Sequence, residues 1–237
     1  MKIEDLKIKI FADGADFEGI MNMYKNEMIS GFTTNPTLMR KAGIDDYKAF
    51  AQEILACIND KPISFEVFAD SNKEMIKQGL EIASWGKNVN VKIPITNSTG
   101  TFTGEAIKEL SDNGVVVNVT AIMTTEQVEN VVENLNPNTP SIISVFAGRI
   151  ADTGVDPLPV MKKTLSIMES NQKSELIWAS PRELLNIFQA NEIGCHIITA
   201  TNDILDKLGN VGKDLNQFSL ETVQMFRDDA LASNFKI

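Results

Sequence analysis

Val89-Asn90-Val91-Lys92-Ile93-Pro94-Ile95 is a short apolar run that contains one lysine and has turn residues on both sides. Its length and β-branched residues are typical of a buried strand. Burial disfavours the charged form of an ammonium group and lowers its pKa, which is how enzymes obtain a neutral, nucleophilic lysine. Alternatively, the lysine stem runs along apolar surface and keeps the charge in water. The run alone favours this alternative, so a catalytic role for the lysine depends on what the rest of the chain indicates.

Seven other short segments are rich in apolar or β-branched residues like this run. Together the eight begin near Lys7, Ser30, Pro62, Val89, Val115, Ser141, Ser174 and Cys195, at intervals of 21 to 33 residues. Each is followed by a helical pattern or a helix-start signal, and the spacing accommodates one strand, a loop and a crossover helix per unit. Eight such units predict an α/β fold, a (β/α)8 TIM barrel, with Lys92 on the fourth strand.

Local signals mark the ends of several predicted helices. Ser71 and Glu74 have the spacing of a capping box, and Asp156-Pro157 is typical of an N-cap followed by proline at the first helical position. Gly114 and Gly194 stand where helices are expected to end. These signals agree with the helices that the barrel requires.

Two helical stretches follow Thr201, the second from about Ser219 to Ala230. They predict an additional C-terminal helix within a segment of about residues 203–237. Because no linker or low-complexity tract divides the chain, we expect one domain over residues 1–237. The apolar residues of the last stretch fit either an oligomer contact or packing on the chain's own barrel: Phe218, Leu220, Val223 and Phe226.

Composition excludes several classes of protein. A net charge of −10 argues against a nucleic-acid binder, which needs a basic surface. No apolar run approaches the length of a membrane span, and the acidic start Met1-Lys2-Ile3-Glu4-Asp5 does not resemble a secretory signal. Two cysteines cannot form a disulfide framework, and a single histidine, His196, argues against a histidine-rich metal site. We therefore expect a soluble, cytoplasmic protein.

Polar side chains lie near the end of almost every predicted strand. In a (β/α)8 barrel the carboxyl ends of the strands and the loops after them form the active site. Each residue taken singly has an ordinary alternative, such as a turn, a strand position or a helix cap. Their shared placement favours one site, made of Asp13, Thr33, Thr34, Asn35, Glu66, Lys92, Asn118, Thr120, Ser144, Arg149, Ser180 and Arg182.

Asp13 and Glu66 are the carboxylates expected to accompany the amine of Lys92. Schiff-base formation requires proton transfers, because the carbinolamine must lose water, and cleavage of a carbon–carbon bond requires a base for the hydroxyl proton. The alternative is a simple ion pair between one carboxylate and the lysine. Such a pair raises the pKa of a lysine and makes it a weaker nucleophile.

Five motifs in this order resemble the transaldolase family. They are Gly31-Phe32-Thr33-Thr34-Asn35-Pro36-Thr37, Val91-Lys92-Ile93-Pro94, Val117-Asn118-Val119-Thr120, Ser144-Val145-Phe146-Ala147-Gly148-Arg149-Ile150 and Trp178-Ala179-Ser180-Pro181-Arg182-Glu183. The resemblance extends from about Ile8 to the C-terminal helix, and five motifs in the family's order are far more specific than the lysine motif alone.

The resemblance implies a class I enzyme without metal or cofactor. Such an enzyme moves a dihydroxyacetone unit from fructose 6-phosphate or sedoheptulose 7-phosphate to erythrose 4-phosphate or glyceraldehyde 3-phosphate. By matching position, Lys92 forms the Schiff base and Asp13 takes the C4 hydroxyl proton. Glu66 acts with a water positioned by Thr120. The expected substrate-binding residues are Thr34, Asn35, Asn118, Ser144 and Phe146, with Arg149, Ser180 and Arg182 for the phosphate, beside a helix that Pro181 is expected to begin.

Two other functions remain open. Fructose-6-phosphate aldolases, which release free dihydroxyacetone, tend to carry glutamine in place of Glu66 and tyrosine in place of Phe146, so both positions favour transfer. A non-catalytic barrel that binds a sugar phosphate is permitted by the fold, although such a protein has no need of a buried amine beside two acids. Short members of the family commonly form rings, so the resemblance also implies a homo-oligomer.

Overall fold

The computed structural model describes residues 2–233 and shows a closed barrel of eight parallel strands. The strands are β1 (Lys9–Asp13), β2 (Ile29–Thr33), β3 (Ile63–Glu66), β4 (Val89–Pro94), β5 (Val117–Ile122), β6 (Ser141–Val145), β7 (Ser174–Trp178) and β8 (Ile197–Ala200). Each begins within two residues of its predicted start. The prediction of a (β/α)8 TIM barrel is confirmed, and Lys92 lies on the fourth strand.

Each strand pairs with its neighbours in chain order, and β8 pairs with β1 to close the barrel. The register places the polar strand ends side by side: Asp13 lies opposite Thr33, and Glu66 lies opposite Lys92. Because side chains alternate between the two faces of a strand, residues two apart point the same way. The predicted polar residues therefore converge at one mouth of the barrel.

Eleven α-helices are described, several of them in the crossovers between strands. They are α1 (Phe17–Tyr24), α2 (Pro36–Lys41), α3 (Tyr47–Cys57), α4 (Asn72–Ala83), α5 (Gly104–Asp112), α6 (Thr125–Asn134), α7 (Ala147–Ala151), α8 (Pro157–Met168), α9 (Leu185–Glu192), α10 (Asn202–Leu205) and α11 (Leu215–Ala232). Ser71 and Asp156 are N-caps, as predicted, and each side chain accepts a backbone N–H of the first turn. Gly114 and Gly194 follow the ends of α5 and α9 with φ of 77° and 79°, a conformation that favours glycine.

The barrel contains both a small apolar cluster and buried polar residues. A small apolar cluster, separate from the layer between strands and helices, contains Phe11, Ile142, Ile177, Ala179 and Ile197. Ser64, Asn90, Lys92 and Asn118 are buried polar residues on β3, β4 and β5, and Ser144 and Thr199 are buried polar residues on β6 and β8. Buried polar groups are unfavourable unless they are hydrogen-bonded, so their partners are of interest for the site.

The C-terminal helix α11 is longer than the predicted stretch and has no buried residue. Its large apolar side chains are between 42% and 79% exposed, so the helix does not pack closely on its own barrel: Leu215, Phe218, Leu220, Val223, Met225, Phe226 and Leu231. Residues 234–237 of the predicted segment lie outside the described residues. Over residues 2–233, no helix combines the length and apolar character needed to cross a membrane.

Candidate active site

A cavity of about 770 Å³ opens at the carboxyl ends of the strands. Ten of the twelve predicted catalytic and binding residues line it: Asp13, Asn35, Glu66, Lys92, Thr120, Ser144, Phe146, Arg149, Ser180 and Arg182. The other two, Thr34 and Asn118, are buried in its wall. The sequence-predicted residues therefore belong to one site.

The Lys92 amine lies inside this cavity and not in bulk water, since the side chain is only 8% exposed. Its Nζ donates a hydrogen bond of 2.8 Å to the Thr34 carbonyl and lies 3.2 Å from Glu66 Oε2. The alternative in which the stem carries the charge out to solvent is wrong. The ion pair considered above is present, so a carboxylate able to accept the proton of the ammonium lies next to it.

Glu66 is fixed at the end of β3 by Tyr47, a residue that no motif or strand end indicated. The Tyr47 hydroxyl accepts the Glu66 N–H at 2.7 Å and donates to the Glu66 carbonyl at 3.0 Å. Burial raises the pKa of Tyr47 well above its usual range, which keeps the phenol protonated. Its ring packs against Phe65, with centroids 6.0 Å apart. Tyr47 therefore holds the backbone that carries the Glu66 carboxylate.

Asp13, at the end of β1, has two hydrogen-bond donors beside its carboxylate. Thr33 Oγ1 donates to Asp13 Oδ1 at 2.8 Å, and Asn35 Nδ2 lies 3.5 Å from Oδ2. Burial raises the pKa of the Asp13 carboxyl, while the positive charge of Lys92 opposes the shift. A carboxylate with a raised pKa is a better base than an exposed aspartate.

Thr120 is directed into the cavity by an irregularity in β5. The pairing with β6 shifts register between Val119 and Ile122, and Ala121 has a φ of 63°. Positive φ at a non-glycine residue is costly and is often found at functional sites. Thr120 Oγ1 is buried and has no hydrogen-bond partner within the part of the chain that is described. Its hydroxyl is therefore free to bond to water or to a substrate.

The two wall residues support the cavity through hydrogen bonds. Asn118 Nδ2 donates to Ser64 Oγ at 3.1 Å, and Ser144 Oγ donates to Asn118 Oδ1 at 2.7 Å. Thr34 Oγ1 donates to the Ser64 carbonyl at 2.8 Å. The Thr34 side chain thus bonds to β3, and the Asn118 side chain links β5 to β3 and β6. Of these four residues only Ser144 faces the cavity.

Arg149, Ser180 and Arg182 lie together at the mouth of the cavity, and we call them the anion-binding group. Arg182 pairs through Nε and Nη2 with both carboxylate oxygens of Asp152, and its Nη1 donates to Ser180 Oγ at 3.1 Å. The Arg182 guanidinium lowers the pKa of Asp152. This fork fixes the guanidinium plane and leaves part of its donor edge available to an anion.

The loop before α9 differs from the prediction. The helix expected to begin at Pro181 begins only at Leu185, so it places no N-terminus at the anion-binding group. Ser180 instead takes a φ of 58°, and its carbonyl comes so close to Gly148 that an added Cβ there would lie 1.6 Å away. The absence of a side chain at Gly148 therefore allows the Ser180 carbonyl to approach the Gly148 backbone.

Several cavity residues were not among those selected from the sequence. Thr199 lies on β8, and Lys41 and Asp203 lie on α2 and α10. Thr199 lies one residue before the end of β8, so the rule that located the other strand ends would have found it. Over residues 2–233, no group of three or more histidine, cysteine, aspartate or glutamate side chains is arranged to bind a metal ion.

Comparisons with known proteins identify the family of the chain. The family model described as Transaldolase/Fructose-6-phosphate aldolase matches residues 10–237. A "Probable transaldolase" of Dehalococcoides mccartyi is 37% identical over 199 residues, which cover 84% of this chain and 88% of that protein. A "Probable transaldolase" of Thermoanaerobacter sp. (strain X514) is 32% identical over 231 residues, or 97% of this chain and 100% of that protein.

Solved structures show the same fold at much lower identity. The 3-keto-L-gulonate-6-phosphate decarboxylase from Vibrio cholerae superimposes with a TM-score of 0.56 at 10% identity, covering 83% of this chain and 88% of that one. At this identity the likeness concerns the barrel alone. The match of the family model over residues 10–237, together with two relatives that cover most of the chain, shows that this chain belongs to the transaldolase/fructose-6-phosphate aldolase family.

Proposed function

We propose that this protein is a class I transaldolase that transfers a dihydroxyacetone unit from a ketose phosphate to an aldose phosphate through a Schiff base on Lys92. The observation that carries the proposal is the buried Lys92 amine, 3.2 Å from the Glu66 carboxylate in a cavity that also contains Asp13. A protein that only bound sugar phosphates would gain nothing from burying an amine between two acids.

The first step is formation of the iminium. Glu66 takes a proton from the Lys92 ammonium, and the neutral amine attacks the C2 carbonyl of the ketose to give a carbinolamine. Glu66, acting through a water on Thr120, returns a proton to the C2 hydroxyl, which leaves as water. The Thr120 hydroxyl, which has no hydrogen-bond partner among residues 2–233, supports this role because it can bond to such a water.

The second step is cleavage and transfer. Asp13 takes the proton of the C4 hydroxyl, the C3–C4 bond breaks, and its electron pair neutralises the iminium to give an enamine while the aldose phosphate leaves. A second aldose phosphate then binds, the enamine carbon attacks its aldehyde, and Asp13 returns the proton. Hydrolysis of the new iminium releases the product ketose and regenerates Lys92.

The remaining residues bind and orient the sugar. The anion-binding group suits a phosphate, since Arg149 and Arg182 supply positive charge and Ser180 supplies a hydroxyl. Asn35 and Ser144 face the cavity and suit the sugar hydroxyls, while Asn118 acts through its bond to Ser144. The acidic net charge of −10 is compatible with anionic substrates because these cations are concentrated at the mouth.

Phe146 distinguishes transfer from simple cleavage. Its ring packs against the apolar cluster inside the barrel and lines the cavity, so an apolar group without a proton lies near the reacting carbons. An enamine that receives no proton persists until an acceptor aldehyde binds. Protonation of the enamine instead gives an iminium, and hydrolysis of this iminium releases free dihydroxyacetone. We therefore expect wild-type protein to release little free dihydroxyacetone and to transfer the dihydroxyacetone unit efficiently from donor to acceptor.

Phe146→Tyr is expected to raise the release of free dihydroxyacetone from fructose 6-phosphate about 10-fold, because the new hydroxyl can protonate the enamine. Release is measured with and without erythrose 4-phosphate. Phe146→Leu, which removes the ring without adding a hydroxyl, is the control and should not raise it. If wild-type protein accumulates free dihydroxyacetone at the same rate with and without the acceptor, it is an aldolase and the transfer proposal is wrong.

We also propose that the exposed apolar face of α11 contacts a second copy of this chain. Its Phe226 is 63% exposed and Val223 is 60% exposed, and apolar side chains this exposed along one helix are typical of an interaction surface. Phe226→Asp is expected to reduce the sedimentation coefficient toward that of a monomer, while Arg227→Asp, at a position already charged, leaves it unchanged. A wild-type protein that sediments as a monomer would contradict the proposal.

A further inference from the structure

A chain of buried hydroxyl groups reaches Asp13 from the far side of β1. Thr199 Oγ1 lies 2.6 Å from Thr33 Oγ1, which in turn lies 2.8 Å from Asp13 Oδ1. The register explains the contact: Thr199 on β8 is paired with Phe11, and Thr33 on β2 is paired with Asp13. We call Thr199, Thr33 and Asp13 the hydroxyl chain.

The hydrogen bonds of this chain can run in only one direction when Asp13 is ionised. A carboxylate only accepts, so the single hydrogen of the Thr33 hydroxyl is used on Asp13 Oδ1. Thr199 must then donate its own hydrogen to the Thr33 oxygen. Both hydroxyls are shielded from solvent, with Thr33 3% and Thr199 7% exposed, so water competes little for these bonds.

We propose that Thr199 is a positioning residue for Asp13. Its hydroxyl keeps the Thr33 hydrogen on Oδ1, and this leaves Oδ2, which has only the long contact of 3.5 Å to Asn35, free to take the proton of a substrate hydroxyl. The inference rests on the proposed function, in which Asp13 is the base of the cleavage step. It adds Thr199 to the residues that determine the rate of that step.

Replacing Thr199 removes none of the charged groups around Asp13. The strands that flank β1 are β2 (Ile29–Thr33) and β8 (Ile197–Ala200). Neither strand contains a charged residue. The ionisable side chains that face Asp13 or line the same cavity are Lys92, Glu66, Lys41, Arg149, Arg182 and Asp203. A change in the titration of the cleavage step on replacing Thr199 therefore reports the hydroxyl chain.

Thr199→Val, which keeps the shape and removes the hydroxyl, tests the proposal. We expect kcat/KM for cleavage of fructose 6-phosphate to fall about 10-fold, the equivalent of one weakened hydrogen bond to a charged group. The acidic limb of its pH profile should move to higher pH, because a carboxylate that accepts weaker hydrogen bonds is easier to protonate. Thr199→Ser, which restores the hydroxyl, is expected to recover at least half of the lost kcat/KM. The acidic limb of its pH profile should return to the wild-type position.

Borohydride trapping separates this inference from the proposed function. An equal yield of trapped adduct in wild type and Thr199→Val, with slower cleavage in the variant, supports the hydroxyl chain. If Thr199→Val forms the adduct, cleaves at the normal rate and keeps the acidic limb of its pH profile unshifted, the role of Thr199 is wrong but the proposed function stands. No adduct in wild type overturns both proposals.

A second variant keeps the test decisive if Thr199→Val folds poorly. Thr33→Val removes the middle hydroxyl and should move the acidic limb in the same direction. Where Thr199→Val does fold, the double variant should lose less than the product of the two single losses, because the two hydroxyls act as one unit. Fully multiplicative losses, or a Thr199→Ser variant as slow as Thr199→Val, would show that Thr199 only fills space.

Discussion

Lys92→Met is expected to reduce transfer from fructose 6-phosphate to erythrose 4-phosphate by about four orders of magnitude in kcat/KM, or roughly 5.5 kcal/mol of transition-state stabilisation. Methionine resembles the lysine stem in length but has no amine, so the C2 carbonyl cannot become an iminium. The C3–C4 bond then has no electron-accepting group next to it. Intact mass after borohydride reduction should show an adduct with wild type and none with the variant.

The same change tests the ion pair with Glu66. Removing the ammonium leaves a carboxylate whose side chain is 17% exposed without its partner, so a loss of about 1–3 kcal/mol in the free energy of unfolding is expected. Thermal unfolding measures this loss and shows that the variant is folded during the assay. Lys108→Met is the matched control, because Lys108 is 63% exposed in an ion pair with Asp112 on α5.

The control variant should keep full activity and the wild-type adduct. An adduct that persists in Lys92→Met would place the nucleophile on another lysine. Lys41 is then the residue to examine, since it is the other lysine that lines the cavity. Loss of activity in Lys92→Met with no adduct in wild type would instead favour a role for Lys92 in binding.

The barrel was predictable because each strand is a local feature. Eight apolar runs with regular spacing indicate eight units, and the parallel order of the strands follows from the crossover helices. Counting the apolar runs is enough to predict that Lys92 lies on the fourth strand, β4. The α9 prediction failed because Pro181 is a good first residue for a helix, whereas the chain is held in a loop by the contact between Ser180 and Gly148. That contact joins residues 32 apart in sequence.

The site was predictable to the extent that its residues stand at strand ends. The contacts that tune those residues are not local: Tyr47 binds the backbone of Glu66 from 19 residues away, and Asp152 binds Arg182 from 30 residues away. No pattern in one segment indicates a partner in another. The pairing of Thr199 with Thr33 spans 166 residues and depends on closure of the barrel.

Asp13→Asn is the second change with a large expected effect, a loss of about two to four orders of magnitude in the rate of cleavage. An amide has nearly the same shape as the carboxylate but cannot take the C4 hydroxyl proton. Lys92 and Glu66 remain, so the Schiff base still forms. Borohydride should therefore trap the whole ketose phosphate on the variant, whereas wild type also yields the three-carbon adduct left after cleavage.

Stability should change in the direction opposite to activity. The pKa of Asp13 is raised by burial, and a carboxyl with a higher pKa in the folded than in the unfolded protein stabilises the fold below its unfolded pKa. That contribution is lost as the pH rises through the folded-state pKa, so ionised Asp13 is unfavourable at neutral pH. Asp13→Asn should therefore unfold at a higher temperature than wild type at neutral pH, with a smaller difference in acid.

Asp45→Asn provides the control for the loss of one negative charge, because Asp45 is exposed and does not line the cavity. It should change neither the cleavage rate nor the ratio of trapped adducts. Wild-type activity should also fall with decreasing pH as Asp13 is protonated, at a pH above the range of an ordinary aspartate. If Asp13→Asn traps the three-carbon adduct as efficiently as wild type, another group removes the C4 proton. Asp203 and Glu66 are then the remaining carboxylates on the cavity wall, and Glu66 already has the proton transfers of the Schiff base to perform.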